Sequence, residues 1–194
     1  MIYHDALSEI LENVSKTTKN VNPEQLSEMT NMIESVEHVF VMGLGRSGLV
    51  AKAFAMRLMH LGLKVYVVGE TVTPAITDKD CLLAISGSGE TSYIVSTTNI
   101  AKEIGAKIIA ITSYNDSSLA KQSDIIVELK GRTKMDIENN YISRQISGQH
   151  QTLSPLGTLF EVSALIFLDA TIAEMMHDLG QTEKDLKARH TILE

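Results

Sequence analysis

Two short stretches rich in glycine and hydroxyls carry much of the chemistry in this sequence: GLGRSG at 43–48 and SGSGET at 86–91. In the second, Ser86, Ser88 and Thr91 offer three hydroxyls within six residues. Gly87 and Gly89 let the backbone approach a ligand closely. Glu90-Thr91 opens the helix-like segment that follows, so the unpaired N–H groups of its first turn face the same spot. Such a turn suits a phosphate; its bland alternative is a capped turn with no ligand. In the first stretch, Gly43, Gly45 and Gly48 fall on the G-x-G-x-x-G spacing of a dinucleotide-binding turn. Glu70 stands where a ribose-binding acid would sit, about 20 residues on. Arg46 and Ser47 inside the turn suit a phosphate monoester or a sugar hydroxyl instead.

Proton-transfer groups lie elsewhere. Glu161 sits among Leu159, Phe160, Val162 and Ala164, where a carboxylate is either desolvated and useful or turned outward. His60 closes the helical stretch after GLGRSG, and His190 lies in the RH pair near the C-terminus. An imidazole near pKa 6.5 suits proton exchange, but His60 could equally cap a helix and His190 could be solvated. His4, His38, His150 and His177 show no ligand spacing with one another or with Cys81, so no metal is expected.

These groups need a scaffold. Short apolar runs at 39–42, 64–68, 81–86, 107–111 and 124–129 alternate with helical segments near 47–62, 90–104 and 117–122. That pattern predicts a five-stranded parallel sheet covered on both faces, doubly wound in flavodoxin-like order. Residues 1–36 read as two helices, the second capped by Asn22-Pro23, and 37–194 as the sandwich of a single domain. Ser154-Pro155 is expected to open a long helix to about 178, with Glu161 about two turns in. Gly180 ends that helix and Thr182 caps a last one running toward RHTILE. Residues 131–154 carry no period, although Arg132, Lys134 or Arg144 could help hold phosphate if that segment folds over the site.

Composition narrows the function classes. A net charge of −7 argues against nonspecific nucleic-acid binding. No apolar run approaches the ~20 residues of a membrane span, and the acidic N-terminus lacks a signal-peptide pattern. The single cysteine, Cys81, allows no internal disulfide and fits a reducing, cytoplasmic setting. A dinucleotide-dependent oxidoreductase is disfavoured, because five strands use up the sheet and leave no separate substrate domain.

GLGRSG, AFAMRLMHLG, SGSGET and SPLGTLFE occur here in one order and spacing. Together they resemble the sugar isomerase (SIS) family, most closely its 6-phospho-3-hexuloisomerase branch, from about residue 36 to the RHTILE end. The resemblance implies a cofactor-independent phosphosugar isomerase that moves a carbonyl between C3 and C2 through an enediolate, in formaldehyde fixation by the ribulose monophosphate route. It makes Glu161 the catalytic base, best served by partial burial that raises its pKa. His60 or His190 would assist, and in related isomerases a histidine can arrive from a neighbouring subunit. Gly45, Arg46, Ser47, Ser86, Gly87, Ser88, Glu90 and Thr91 would bind substrate. No cofactor is implied, and the assembly would be a homotetramer. A phosphosugar-sensing module without turnover, or an isomerase of a pentose or heptose phosphate, stays open.

Overall fold

The computed structural model describes residues 1–131 and 153–192. Helices α1 (Ile2–Lys19) and α2 (Pro23–Ser35) lead into β1 (Val39–Gly43), α3 (Arg46–His60), β2 (Val65–Val67) and β3 (Cys81–Ile85). Then come α4 (Ser92–Ile104), β4 (Lys107–Thr112), α5 (Ser118–Gln122), β5 (Ile125–Glu128), α6 (Thr158–Asp178) and α7 (Glu183–Ala188). All five strands are parallel, in the order β2-β1-β3-β4-β5. Among the described residues no helix is long and apolar enough to cross a membrane.

Strand alternation splits the core in two. Val39, Val41, Cys81, Leu83, Ile85, Ile109 and Ile111 face α2, α3 and α6, whereas Phe40, Met42, Leu82, Ala84, Ile108 and Ala110 face α4 and α5. Each fully buried Leu or Ile contributes roughly 2 kcal/mol. β2 is the edge strand that the flavodoxin-like order calls for, but it is only half-buried, where covered faces were expected. Cys81 packs as a small hydrophobe, and burial pushes its thiol up to about 12.

Strand order reverses between β1 and β3, the place where open α/β sheets bind ligands. Gly43 pairs with Ile85 in the β1–β3 ladder, so both glycine-rich turns leave the sheet at one level. The glycines of the first turn have separate reasons. A Cβ on Gly43 would lie 2.6 Å from the Ser47 backbone, and one on Gly48 would lie 2.8 Å from the Gly43 carbonyl. Gly45 instead supplies a φ of +57°.

Local cap signals hold for α2 and α7: Asn22 accepts from the Glu24 N–H, and Thr182 forms a capping box with Asp185. α7 stops at Ala188, short of RHTILE. The expected start of the long helix does not hold. Ser154 donates its hydroxyl to Glu9 of α1 at 2.9 Å, and α6 begins only at Thr158, behind Gly157, whose φ is +89°. Asn13 of α1 also donates to the Leu159 carbonyl and the Ser163 hydroxyl, so α1 fixes where α6 starts.

Candidate active site

The two turns and the start of α6 enclose a cavity of about 400 Å³. Gly45, Arg46 and Ser47 line one side; Ser86, Gly87, Ser88 and Thr91 line another; Gly157, Phe160 and Glu161 form the third. Three helix N-termini therefore converge on one space: α3 behind Gly45, α4 behind Thr91, and α6 behind Gly157. None of the three has a side-chain cap, whereas α2, α5 and α7 are capped by Asn22, Ser117 and Thr182. Orphan N–H groups and the positive ends of three helix dipoles thus favour an anion here.

The hydroxyls are positioned by the turn itself. The Ser86 hydroxyl accepts from the Gly89 N–H at 3.2 Å and lies 3.3 Å from the Thr91 hydroxyl. Ser88 accepts from the Glu90 N–H at 3.2 Å. Ser47 is nine-tenths buried and shows no hydrogen-bond partner among the described residues, leaving its hydroxyl available to the cavity. The Phe160 ring closes over Gly87, where an added Cβ would stand 3.0 Å from it.

Glu161 lies on the first turn of α6, not two turns in, because the helix starts at Thr158. Its side chain is largely buried and pairs with the guanidinium of Arg46. The first turn aims this carboxylate into the cavity, where a deeper position on the helix would carry it down the side of the sheet.

Two sets of candidates lie elsewhere. Glu90 does not line the cavity; its carboxylate turns away to accept from the Ser118 N–H at 2.8 Å. That contact and the Ser118 hydroxyl hold its carboxyl below the usual range. His60 and His190 meet each other, rings stacked at 4.9 Å, at the opposite end of α3. A helix rise of 1.5 Å per residue separates His60 from Arg46 by about 20 Å. His60 is only 3% exposed, and burial, then His190 and Arg57, push its imidazole below its ordinary value. The Arg189 guanidinium donates to the His60 carbonyl at 3.0 Å and fastens the C-terminal segment there.

Arg132, Lys134, Arg144 and His150 lie outside the described residues. Among the described residues no group of three or more His, Cys, Asp or Glu could hold a metal. Glu70 pairs with Lys52, so the acid that fits a dinucleotide pattern is engaged on the surface. Gly157 and Phe160 were not among the expected site residues, although glycine is an accepted helix N-cap and stands just before T-L-F-E.

Comparison with known proteins agrees with this fold. The SIS domain model matches residues 32–147. An uncharacterized Archaeoglobus fulgidus protein is 50% identical over 97% of this chain and 98% of its own length. A Bacillus subtilis protein named 3-hexulose-6-phosphate isomerase is 35% identical over 97% of each chain. A crystal structure from Methanococcus jannaschii, for which a 3-hexulose-6-phosphate isomerase function was inferred, superposes with a TM-score of 0.79. It is 34% identical, and the match covers all of both chains.

Proposed function

The chain belongs to the SIS domain family, and from that premise we propose that it is a phosphosugar isomerase converting 3-hexulose 6-phosphate to fructose 6-phosphate. The observation that carries the proposal is the convergence of three uncapped helix N-termini on a cavity that also holds Glu161. The substrate phosphate sits against Ser86, Ser88 and Thr91 with the α4 N-terminus behind it. Arg46 and Ser47 contact the sugar from the opposite turn.

The chemistry needs only proton movements. The Glu161 carboxylate takes the proton from C2, and the electron pair forms a C2–C3 double bond while charge develops on O3. The resulting cis-enediolate lies against Arg46 and the N–H groups of the α6 first turn, which favour that charge. Protonated Glu161 returns the proton to C3, and the O2 proton leaves as the carbonyl forms at C2. One base on one face serves both carbons. An imidazole carries the proton between O2 and O3; within one chain His60 and His190 lie about 20 Å away along α3, so either of that pair would act from a second copy. A closed homo-oligomer, a tetramer by family resemblance, follows from that need.

The substrate, made by condensing formaldehyde with ribulose 5-phosphate, places the enzyme in formaldehyde fixation. The test generates that sugar in place and follows fructose 6-phosphate. Glu161→Gln is expected to cut kcat by about 10²–10⁴ while substrate still binds. Turnover at the wild-type rate in that variant would point to a sensing module or another base. No product from the wild type would remove this substrate.

A further inference from the structure

We propose that Glu90 is a positioning residue for the substrate phosphate: the start of α5 seats its carboxylate, and so keeps a negative charge off the 86–91 turn. The proposal rests on the reading that this turn receives a phosphate, and it gives Glu90 a task on the side of the turn away from the cavity.

An anion site must present donors and withdraw acceptors. The 86–91 turn carries acceptors beside its hydroxyls, and three of them are held by the chain between β4 and the first turn of α5. The Ser113 N–H donates to the Gly87 carbonyl at 3.0 Å, and the Leu119 N–H donates to the Gly89 carbonyl at 3.0 Å. The Ser118 N–H donates to Glu90 Oε1 at 2.8 Å. A fourth acceptor, the Ser86 carbonyl, is taken inside the turn by the Gly89 N–H at 3.1 Å. The hydroxyl residues Ser86, Ser88 and Thr91 are left lining the cavity, with the α4 N-terminus behind them.

The start of α5 is divided to hold this arrangement. Its first N–H goes to Glu90, its second to the Gly89 carbonyl, and its third to the Ser117 hydroxyl that caps it. Leu119 and Ala120 are buried, and the Ser113 hydroxyl donates to the Leu129 carbonyl at 2.8 Å, so the holding segment is itself anchored. Glu90 is exposed, and water alone could solvate its carboxylate. The Ser118 hydroxyl and N–H instead hold that carboxyl below its usual range. Glu90 is next to Thr91 and two residues from Ser88, so a released carboxylate stands beside a bound phosphate dianion. Repulsion between them, screened by salt, weakens phosphate binding about three- to tenfold.

Ser118→Pro removes the donor and leaves the helix able to form. Ser118 is the first residue of α5, where proline is favoured, and Ser117 has φ −64° and ψ 164°, the extended backbone that suits the residue before a proline. In the assay that follows fructose 6-phosphate, Ser118→Pro should raise KM about three- to tenfold and change kcat less than about twofold. Adding Glu90→Gln removes the freed charge and should bring KM back to within about twofold of wild type, whereas Glu90→Gln alone should move KM by less than that. An unchanged KM in Ser118→Pro overturns the proposal. So does a raised KM that Glu90→Gln fails to restore, because the contact then only props the turn. Glu90→Asp and Glu90→Ala repeat the comparison without proline. Both lose the contact and only Asp keeps the charge, so only Asp should raise KM; equal effects overturn the proposal. If wild-type protein turns over no sugar, the isomerase reading falls, and a phosphorus NMR titration with inorganic phosphate decides instead. Weaker binding in Ser118→Pro and Glu90→Asp than in wild type and Glu90→Ala supports the role of Glu90; equal binding in all four, or none in wild type, overturns it.

Discussion

Gly89→Ala tests whether the phosphate-type turn depends on backbone geometry as well as hydroxyls. Gly89 has a φ of +65°, which costs an L-residue about 1–2 kcal/mol. A methyl there would stand 2.1 Å from Ser117 Oγ and 2.5 Å from Ser117 Cβ. Ser117 cannot yield freely: its hydroxyl donates to the Tyr114 carbonyl at 2.8 Å and accepts from the Ala120 N–H as the cap of α5. Losing that cap costs about 1 kcal/mol, and overpacking about 1–3 more. The expected loss is near 4 kcal/mol, a large share of a typical stability of about 5–15 kcal/mol. Gly45→Ala is the internal control: φ is +57°, but an added Cβ meets nothing within 4 Å, so it should lose about 1–2 kcal/mol. Urea unfolding followed by far-UV circular dichroism reads both, since the chain has no tryptophan signal. Gly89→Ala/Ser117→Gly removes both clashing atoms, and glycine at the cap costs only a few tenths of a kcal/mol. The cycle should therefore show a coupling of about 2 kcal/mol. An additive cycle, or Gly89→Ala no worse than Gly45→Ala, refutes the steric argument.

Three further outcomes are expected. Burial alone would push the Asp80 carboxyl up, but the Thr77 hydroxyl, His38 and the Thr77 N–H outweigh it and hold the group below its usual value. That stability is present above the unfolded value near 3.8 and lost as pH falls through the folded one, so Asp80→Asn should cost about 2 kcal/mol at pH 7 and less in acid, measured by urea unfolding. His60 is held neutral beneath His190, with Arg57 and Arg189 close by, so its contribution is complete above about pH 6.5 and fades as pH falls through its lowered value. Melting temperature should drop more steeply between pH 7.5 and 5.5 in wild type than in His60→Gln, and equal slopes would contradict the packing. Lys52→Met removes an exposed pair with Glu70 and should change stability by no more than about 0.5 kcal/mol; a melting temperature many degrees lower would show that the pair matters more than its exposure allows.

Much of the molecule was legible locally. Alternating apolar runs placed five strands, Asn22-Pro23 and Thr182 marked two helix starts, and the two glycine-rich turns marked one end of the sheet. Each of these signals lies within a run of six residues or fewer, so neighbours in the chain suffice to decide it. The order β2-β1-β3-β4-β5 matches the flavodoxin-like expectation, although sequence alone does not fix it: handedness rules set the hand of each crossover, not the edge to which it adds a strand.

What local pattern misjudged was decided by partners distant in the chain. Ser154 has the chemistry of a cap, but Glu9, 145 residues away, takes its hydroxyl, and the start of α6 passes to Gly157. That shift moves Glu161 to the first turn and brings it to Arg46, 115 residues away. His60 and Arg46 share one helix face and yet lie a helix length apart, so the chain's own fold keeps its imidazole from its own carboxylate. The sequence by itself determined which groups could bind and move protons. Only the tertiary structure decided which of them share a cavity, because competing hydrogen-bond partners are settled by distance in space.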